Sequence, residues 1–353
     1  MVSIADVAKH AGVSPTTVSH ALSGKRKVGP DVHARVLAAV AELGYAPGRS
    51  AQSLASGRTR ILGLIVPDIG NGYFAELAQG VEQSATLRGY NVLLCTTGFD
   101  YEREKHALEM IRSRAVDGVV YAAGAPPSTS ELARLLGDLP LVLVDEEIPG
   151  AEVTAFVSDN YEGGRLAAQH LLGLGHRDVL VLEANANLIS SRERVRGFTE
   201  MWSTAGAPPP HIVSGGFTHE GGHQAVAPFG QAFATGELSG LFAVNDLMAL
   251  GAIDRLTDAG VDIPGDVSVL GFDDISSTRY ARPRLTTIRQ DVAGLGGSAV
   301  AALVTALDQD RELDPQRHVY PVELIVRDST SAPNAHAVAS ADGIRPIPEE
   351  VPR

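Results

Sequence analysis

Few stretches of this chain carry a chemical signature of their own. His219, Glu220 and His223 have the H-E-x-x-H spacing that sets two imidazoles over one zinc ion on a helix. Gly221 and Gly222 lie between the histidines, at a helix start, and no third ligand is evident, so the spacing does not amount to a metal centre. No G-x-S-x-G elbow and no G-x-x-x-x-G-K-[ST] phosphate loop occurs, and Gly173 with Gly175 read as a helix end rather than a dinucleotide fingerprint. With no poised acid–base pair or cofactor motif, the expectation is a non-enzyme without metal or cofactor. A second group of residues is more telling. Asp68, Tyr73, Phe74, Asp145, Arg194, Phe217, Asn245, Asp273 and Gln290 all follow the ends of apolar runs. Carboxylates and a guanidinium pair with vicinal hydroxyls, and aromatic faces cover the apolar side of a sugar ring, so this set suits a polyhydroxylated ligand.

Those runs are the elements that must position them. From Ile61 onward, strand-like segments at 61–66, 91–95, 117–121 and 141–144 alternate with helical stretches, and a second series follows at 156–157, 179–182, 241–244 and 267–270. Helices are predicted at 73–88, 160–172, 191–205 and 246–259. Repeated strand–helix units predict parallel sheets with helices on both faces, and two series predict two lobes with a ligand cleft beyond the strand ends. Asp246, Asp274 and Asp291 read as helix caps, and Arg196 as a surface residue. A last strand is expected at 322–326, and residues 331–353, rich in Ala and Pro, read as a disordered tail.

The N-terminal sixty residues are of another kind. Ser3 caps a helix from Ile4 to Ala11 that Gly12 ends; Ser14 and Pro15 open a second, reaching Leu22; a third runs from Pro30 to Gly44. Two short helices across a tight turn, closed by a third, make an all-α helix-turn-helix headpiece. Residues 1–60 carry a charge of +5 within a chain of net −13, leaving −18 on the rest. A basic head on an acidic body implies a polyanion bound at one end. The lone cysteine, Cys95, lies in an apolar run and reads as a buried, inert thiol; with no signal-like segment and no apolar run of about 20 residues, a cytoplasmic protein away from the membrane is expected.

The stretch from Ser3 to Thr59, "SIADVAKHAGVSPTTVSHALSGKRKVGPDVHARVLAAVAELGYAPGRSAQSLASGRT", resembles the headpiece and hinge of the lactose/galactose repressor (LacI/GalR) family, and the likeness continues to Thr330. The resemblance implies a headpiece at 1–46, a hinge at 47–60, and a two-lobed, periplasmic-binding-protein-like sensor at 61–330. It places Pro15, Thr16 and His20 at base-reading positions on the second helix, and Lys9, Ser14, Thr17, Ser19, Lys25 and Arg26 on phosphates. It makes residues 50–55 a hinge helix formed on operator DNA, with Leu54 wedged between base steps. It makes the strand-end residues effector contacts. The partners implied are double-stranded operator DNA, a small-molecule effector such as a sugar, and a second copy in a homodimer. Gly72, the acidic pair Glu146–Glu147 and "EANANL" at 183–188 depart from the family pattern, and no arginine stands at 188–190 to read a purine edge. The rival of another class is a solute-binding protein of a transport system, which shares the two-lobed fold but needs a signal sequence and has no basic helix-turn-helix.

Overall fold

The computed structural model describes residues 2–23, 26–45, 58–113, 116–184 and 187–334. The chain divides into two compact units, residues 1–61 with 113–117, and residues 62–112 with 118–353.

The first unit contains helices α1 (Ile4–Ala11), α2 (Pro15–Ser23) and α3 (Pro30–Leu43). Local chemistry sets their ends. The Ser3 hydroxyl accepts from the Asp6 N–H while the Asp6 carboxylate accepts from the Ser3 N–H, a reciprocal capping box. Gly12 and Gly44, at φ of 64° and 60°, end α1 and α3 in the left-handed conformation that suits glycine. Ser14 Oγ accepts from the Thr17 N–H at 3.1 Å, opening α2. Val7, Ala8, Val18, Ala21, Val36 and Ala39 form the core, with Val32, Val40 and Leu43 packed partly against it. Thr59 and Arg60 donate their N–H groups to Asp117 at 2.7 and 2.9 Å. The expected hinge helix with Leu54 lies outside the described residues, as does Lys25.

The second unit has two lobes. The first lobe contains β1 (Ile61–Val66), α4 (Gly72–Leu87), β2 (Asn91–Thr96), α5 (Tyr101–Ser113), β3 (Gly118–Tyr121), α6 (Thr129–Leu136), β4 (Leu141–Val144) and β5 (Thr154–Ser158). The second contains α7 (Asn160–Leu174), β6 (Val179–Glu183), α8 (Ile189–Thr204), β7 (His211–Ser214), α9 (His219–Val226), α10 (Gly230–Ala234), β8 (Gly240–Ala243), α11 (Asp246–Asp258), β9 (Ser268–Asp273) and β10 (Thr286–Arg289). The chain then returns to the first lobe for α12 (Val292–Gln309) and β11 (Arg317–Tyr320), and ends in the second with β12 (Glu323–Ile325). The sheet orders are β11-β5-β4-β3-β1-β2 and β12-β10-β9-β8-β6-β7. The lobes are therefore joined by three crossings: Asp159, Gln290 with Asp291, and Pro321 with Val322.

Several elements differ from the sequence reading. The last strand, β12, pairs antiparallel with β10, so the second sheet is mixed. β9 extends to Asp273, which puts that carboxylate at the strand's carboxyl end. Ser331, expected in the tail, is tied to the second lobe: the buried His176 bonds Ser239, Ser268 and the Ser331 carbonyl at 2.9–3.0 Å. Just before it, Ser329 exchanges hydrogen bonds with both main-chain groups of Val269. Helix α12 is long and apolar enough to cross a membrane, yet its Leu295, Ala299, Val300 and Leu303 are core residues of the first lobe.

Candidate functional site

On α2, Val18 and Ala21 face the core, so the opposite face is free: Ser14, Pro15 and Thr16 are exposed, and Thr17, Ser19 and His20 are half-buried. Thr16 and His20, four residues apart, share one helix face. Lys9 on α1 and Arg26 after α2 are exposed cations. The Ser14 and Thr17 hydroxyls lie 2.9 Å apart, so part of their hydrogen-bonding capacity is used locally.

A narrow cleft between the lobes opens to solvent. Seven of the nine strand-end residues line it: Tyr73, Phe74, Asp145, Arg194, Phe217, Asn245 and Asp273. The other two stand apart. Asp68 is exposed, and its Oδ1 accepts from the Gly70 N–H at 2.8 Å; Gln290 lies behind the wall and donates its amide to Asp273 Oδ1 at 2.7 Å. The cleft also takes Asn71, Phe99, Ala123, Glu146, Leu188 and Ser190. Phe99 carries no local signal; only the fold sets its ring against Phe217, with centroids 5.8 Å apart and planes within 8°.

The wall of the second lobe is built around Arg194. Gly164 on α7 and Gly197 on α8 let the two helices approach until a Cβ on either would stand 2.0 Å from a carbonyl oxygen of the other helix. Arg194 is thereby buried, its guanidinium 3.8 Å over the Phe272 ring. It donates to Asn160 Oδ1 at 2.8 Å, to the Val244 carbonyl at 2.6 Å and to Asp273 Oδ1 at 3.3 Å. Asn245 caps α11 with its oxygen and donates its amide to the Phe217 carbonyl at 3.0 Å. Across the cleft, the Tyr73 hydroxyl donates to Asp145 at 2.5 Å. Glu146 reaches over from the first lobe to α8. Its carboxylate accepts from the Ile189 N–H at 2.7 Å, the Ser190 hydroxyl at 2.6 Å and the Ser190 N–H at 3.2 Å.

Seven non-glycine residues among those described have positive φ, and four of them, Phe99, Asp145, Phe217 and Asp273, line this cleft. Such backbone costs roughly 1–3 kcal/mol per residue and persists where surrounding structure holds a side chain in place for use. Burial raises the carboxyl pKa of Asp145, and of Asp273 against the opposing Arg194 charge, while that of Glu146 is pushed up to about 7 by burial against the Ser190 bonds. Carboxyl groups outnumber cations among the described lining residues, and burial favours their neutral form.

Two expected caps are something else. Asn245, one residue earlier, caps α11; Asp246 is fully buried, accepting from the Thr287 hydroxyl at 2.6 Å and the Ile275 N–H at 2.9 Å. Asp274 is a buried ion-pair hub for Arg327, Arg289 and Arg279 at 2.5, 2.7 and 3.4 Å. Asp291 does cap α12, and Arg196 is a surface residue paired with Glu193 and Glu200. Gly222, in the H-E-x-x-H stretch, stands where a Cβ would lie 2.2 Å from the Met248 carbonyl, so helix packing accounts for it.

Comparison with known proteins extends this picture. The family description "Bacterial regulatory proteins, lacI family" matches residues 3–48, and "Periplasmic binding protein-like domain" matches residues 168–330. The HTH-type transcriptional repressor PurR of Haemophilus influenzae (strain PittEE) is 35% identical over 339 residues, which cover 94% of this chain and 99% of that protein. The lac repressor dimer bound to operator and the anti-inducer ONPF superposes with a TM-score of 0.81 at 27% identity, covering 94% of this chain and 99% of that one. The transcriptional regulator CelR in complex with cellobiose gives a TM-score of 0.69 at 27% identity, over 93% and 100%.

Proposed function

The chain belongs to the lacI family of bacterial regulatory proteins, and from that premise we propose a homodimeric cytoplasmic repressor whose effector is a sugar or sugar derivative held between the lobes. It is a DNA-binding transcriptional regulator under small-molecule control, and not an enzyme. The sugar reading is carried by one observation: Tyr73, Phe74, Asp145, Arg194, Phe217, Asn245 and Asp273 come together in one cleft. Aromatic rings flank the space, and the Asp145 and Asp273 carboxylates with the Arg194 fork offer acceptors and donors to vicinal hydroxyls.

Each headpiece lays α2 in the major groove. Pro15, Thr16 and His20 meet base edges, with Leu54 in the minor groove of the operator centre. Lys9, Ser14, Thr17, Ser19, Lys25 and Arg26 hold phosphates. Sensor and hinge are coupled through lobe closure. Arg194 bonds Asn160 beside the first crossing, and Asp273 bonds Gln290 in the second, so a ligand gripping both reaches two of the three crossings. Closure alters the spacing of the paired hinge segments, and a coupling of about 1–3 kcal/mol changes operator affinity some 5–150-fold.

Titration calorimetry of the purified chain against sugars and purine bases tests the reading. A sugar that binds, and whose binding is lost in Arg194→Ala and Asp273→Ala, supports it. Binding of purine bases alone, or variants that bind as well as the parent, overturns it.

A further inference from the structure

The cleft has an unbalanced inventory of charge. Asp145, Glu146 and Asp273 line it, and among the described lining residues Arg194 is the one cationic side chain. Two guanidinium nitrogens of that arginine are already engaged, with Asn160, Val244 and Asp273. A second cavity, open to solvent, shares Asp145, Glu146 and Ser190 with the cleft. That cavity adds Glu147, Asp159 and Glu193 to its walls. Its two arginines are both spent: Arg196 pairs with Glu193 and Glu200, and Arg317 with Glu147. A phosphate or carboxylate group entering either cavity meets several carboxylates, and the cations among the described lining residues are each already paired with a carboxylate.

Glu146 stands at the junction of the two cavities. It is 2% exposed, and its oxygens are held by Ile189 and Ser190 at the start of α8. These contacts from the second lobe, made to a residue of the first, hold its carboxyl in a fixed position at the junction.

We propose that the cleft takes an effector bearing no phosphate or carboxylate, whose hydrogen-bond donors, hydroxyl or ammonium, face Asp145 and Glu146, and that Glu146 sets this selection. The proposal rests on the cleft being the effector site and goes further by naming the charge class of the occupant. A phosphorylated sugar is disfavoured because its charge meets Asp145, Glu146 and Asp273 against the single, already paired guanidinium of Arg194, whereas hydroxyl or ammonium donors find carboxyl acceptors. Glu146 is a specificity residue for that site. Replacing it by glutamine keeps an acceptor oxygen for Ser190 and removes the charge.

Matched ligand sets test this: D-glucose, D-glucosamine, D-glucose 6-phosphate and D-glucuronate, with equivalent sets built on galactose and mannose, and ribose with ribose 5-phosphate. Calorimetry measures each against the parent and Glu146→Gln. Within any set that binds, the neutral or aminated member should bind at least tenfold tighter than the phosphate or carboxylate member. A preference for the aminated member identifies ammonium as the donor; a preference for the neutral one identifies hydroxyl. Glu146→Gln should narrow the gap against the anionic member several-fold. An anionic member binding as tightly as its neutral counterpart overturns the proposal and leaves the sugar reading standing. A gap unchanged in Glu146→Gln removes the role of that residue. No binding by any member defeats both readings together. Selectivity in the parent decides the ligand class however the variant folds.

Discussion

Gln290 and Asp273 are joined by a 2.7 Å hydrogen bond that ties a crossing between the lobes to a carboxylate of the cleft. Gln290 lines no part of the cavity, yet it shares Asp273 Oδ1 with Arg194. Gln290→Ala should cost effector affinity about 1.5–3 kcal/mol, the usual worth of a hydrogen bond to a charged group. It should also weaken the response of DNA binding to effector, because one link from cleft to crossing is gone. Calorimetry and operator titrations with and without effector measure both; unchanged affinity and response would show that Asp273 needs no such support.

His20 is half-buried on the face of α2 that also carries Thr16. His20→Ala should relax base preference at one position per half-site, with a loss of about 1–3 kcal/mol on the preferred sequence and little on random DNA. Selection from random-sequence duplexes, followed by fluorescence anisotropy, reads this out. Equal losses on both DNAs would place His20 on the phosphates instead.

The carboxyl of Glu146, pushed up to about 7 by burial, takes a proton in the folded chain more readily than in the unfolded one. In the window from about 4.5 to about 7 the folded state therefore binds more protons, and stability falls as pH rises. The Glu146 contribution is fully present on the acid side and lost above the raised pKa. Glu146→Gln should remove this slope and gain up to ~3 kcal/mol relative to the parent at pH 8, compared with pH 4.5. Urea melts across that range decide; a difference that stays flat with pH rejects the assignment.

His176 has the opposite sign. Its pKa is lowered to about 4 by burial, so the folded chain resists protonation that the unfolded chain accepts near 6.5. Its contribution is present above about 6.5 and lost as pH falls toward 4. His176→Ala should cost about 2–4 kcal/mol at pH 8, from the cavity and the orphaned partners Ser239, Ser268 and Ser331, and should flatten the acid side of the stability curve. Equal losses at pH 8 and pH 4 would speak against a neutral, buried ring.

The sequence was most legible where structure is decided within one turn of chain. Ser3, Gly12, Ser14 with Pro15, and Gly44 bracket the headpiece helices because capping needs only neighbours three or four residues away. Strand positions were readable from apolar runs, but direction was not: nothing in residues 323–325 says that they run antiparallel to β10. In the cleft, residues that follow strand ends are legible in the sequence, while Phe99, Glu146 and Ser190 are not. Their roles come from packing between lobes, across 118 residues for Phe99 and Phe217 and 44 for Glu146 and Ser190. Asn245 and Asp246 offer the same capping chemistry in sequence, and only the tertiary partners Thr287 and Ile275 tell them apart.

The alternating path of the chain between lobes sets an order on its making. Helices α1 to α3 are complete once residue 45 or so has emerged from the ribosome, and among the described residues their core draws only on that segment. The sensor lobes are different. The first waits for α12 and β11, which are synthesised after nearly all of the second lobe, and the second waits for β12 and for Ser329 and Ser331. A nascent chain therefore exposes a finished headpiece for the whole interval in which neither lobe can close. In the proposed homodimer, two headpieces would meet an operator only once translation has nearly ended and the bodies that pair them are complete.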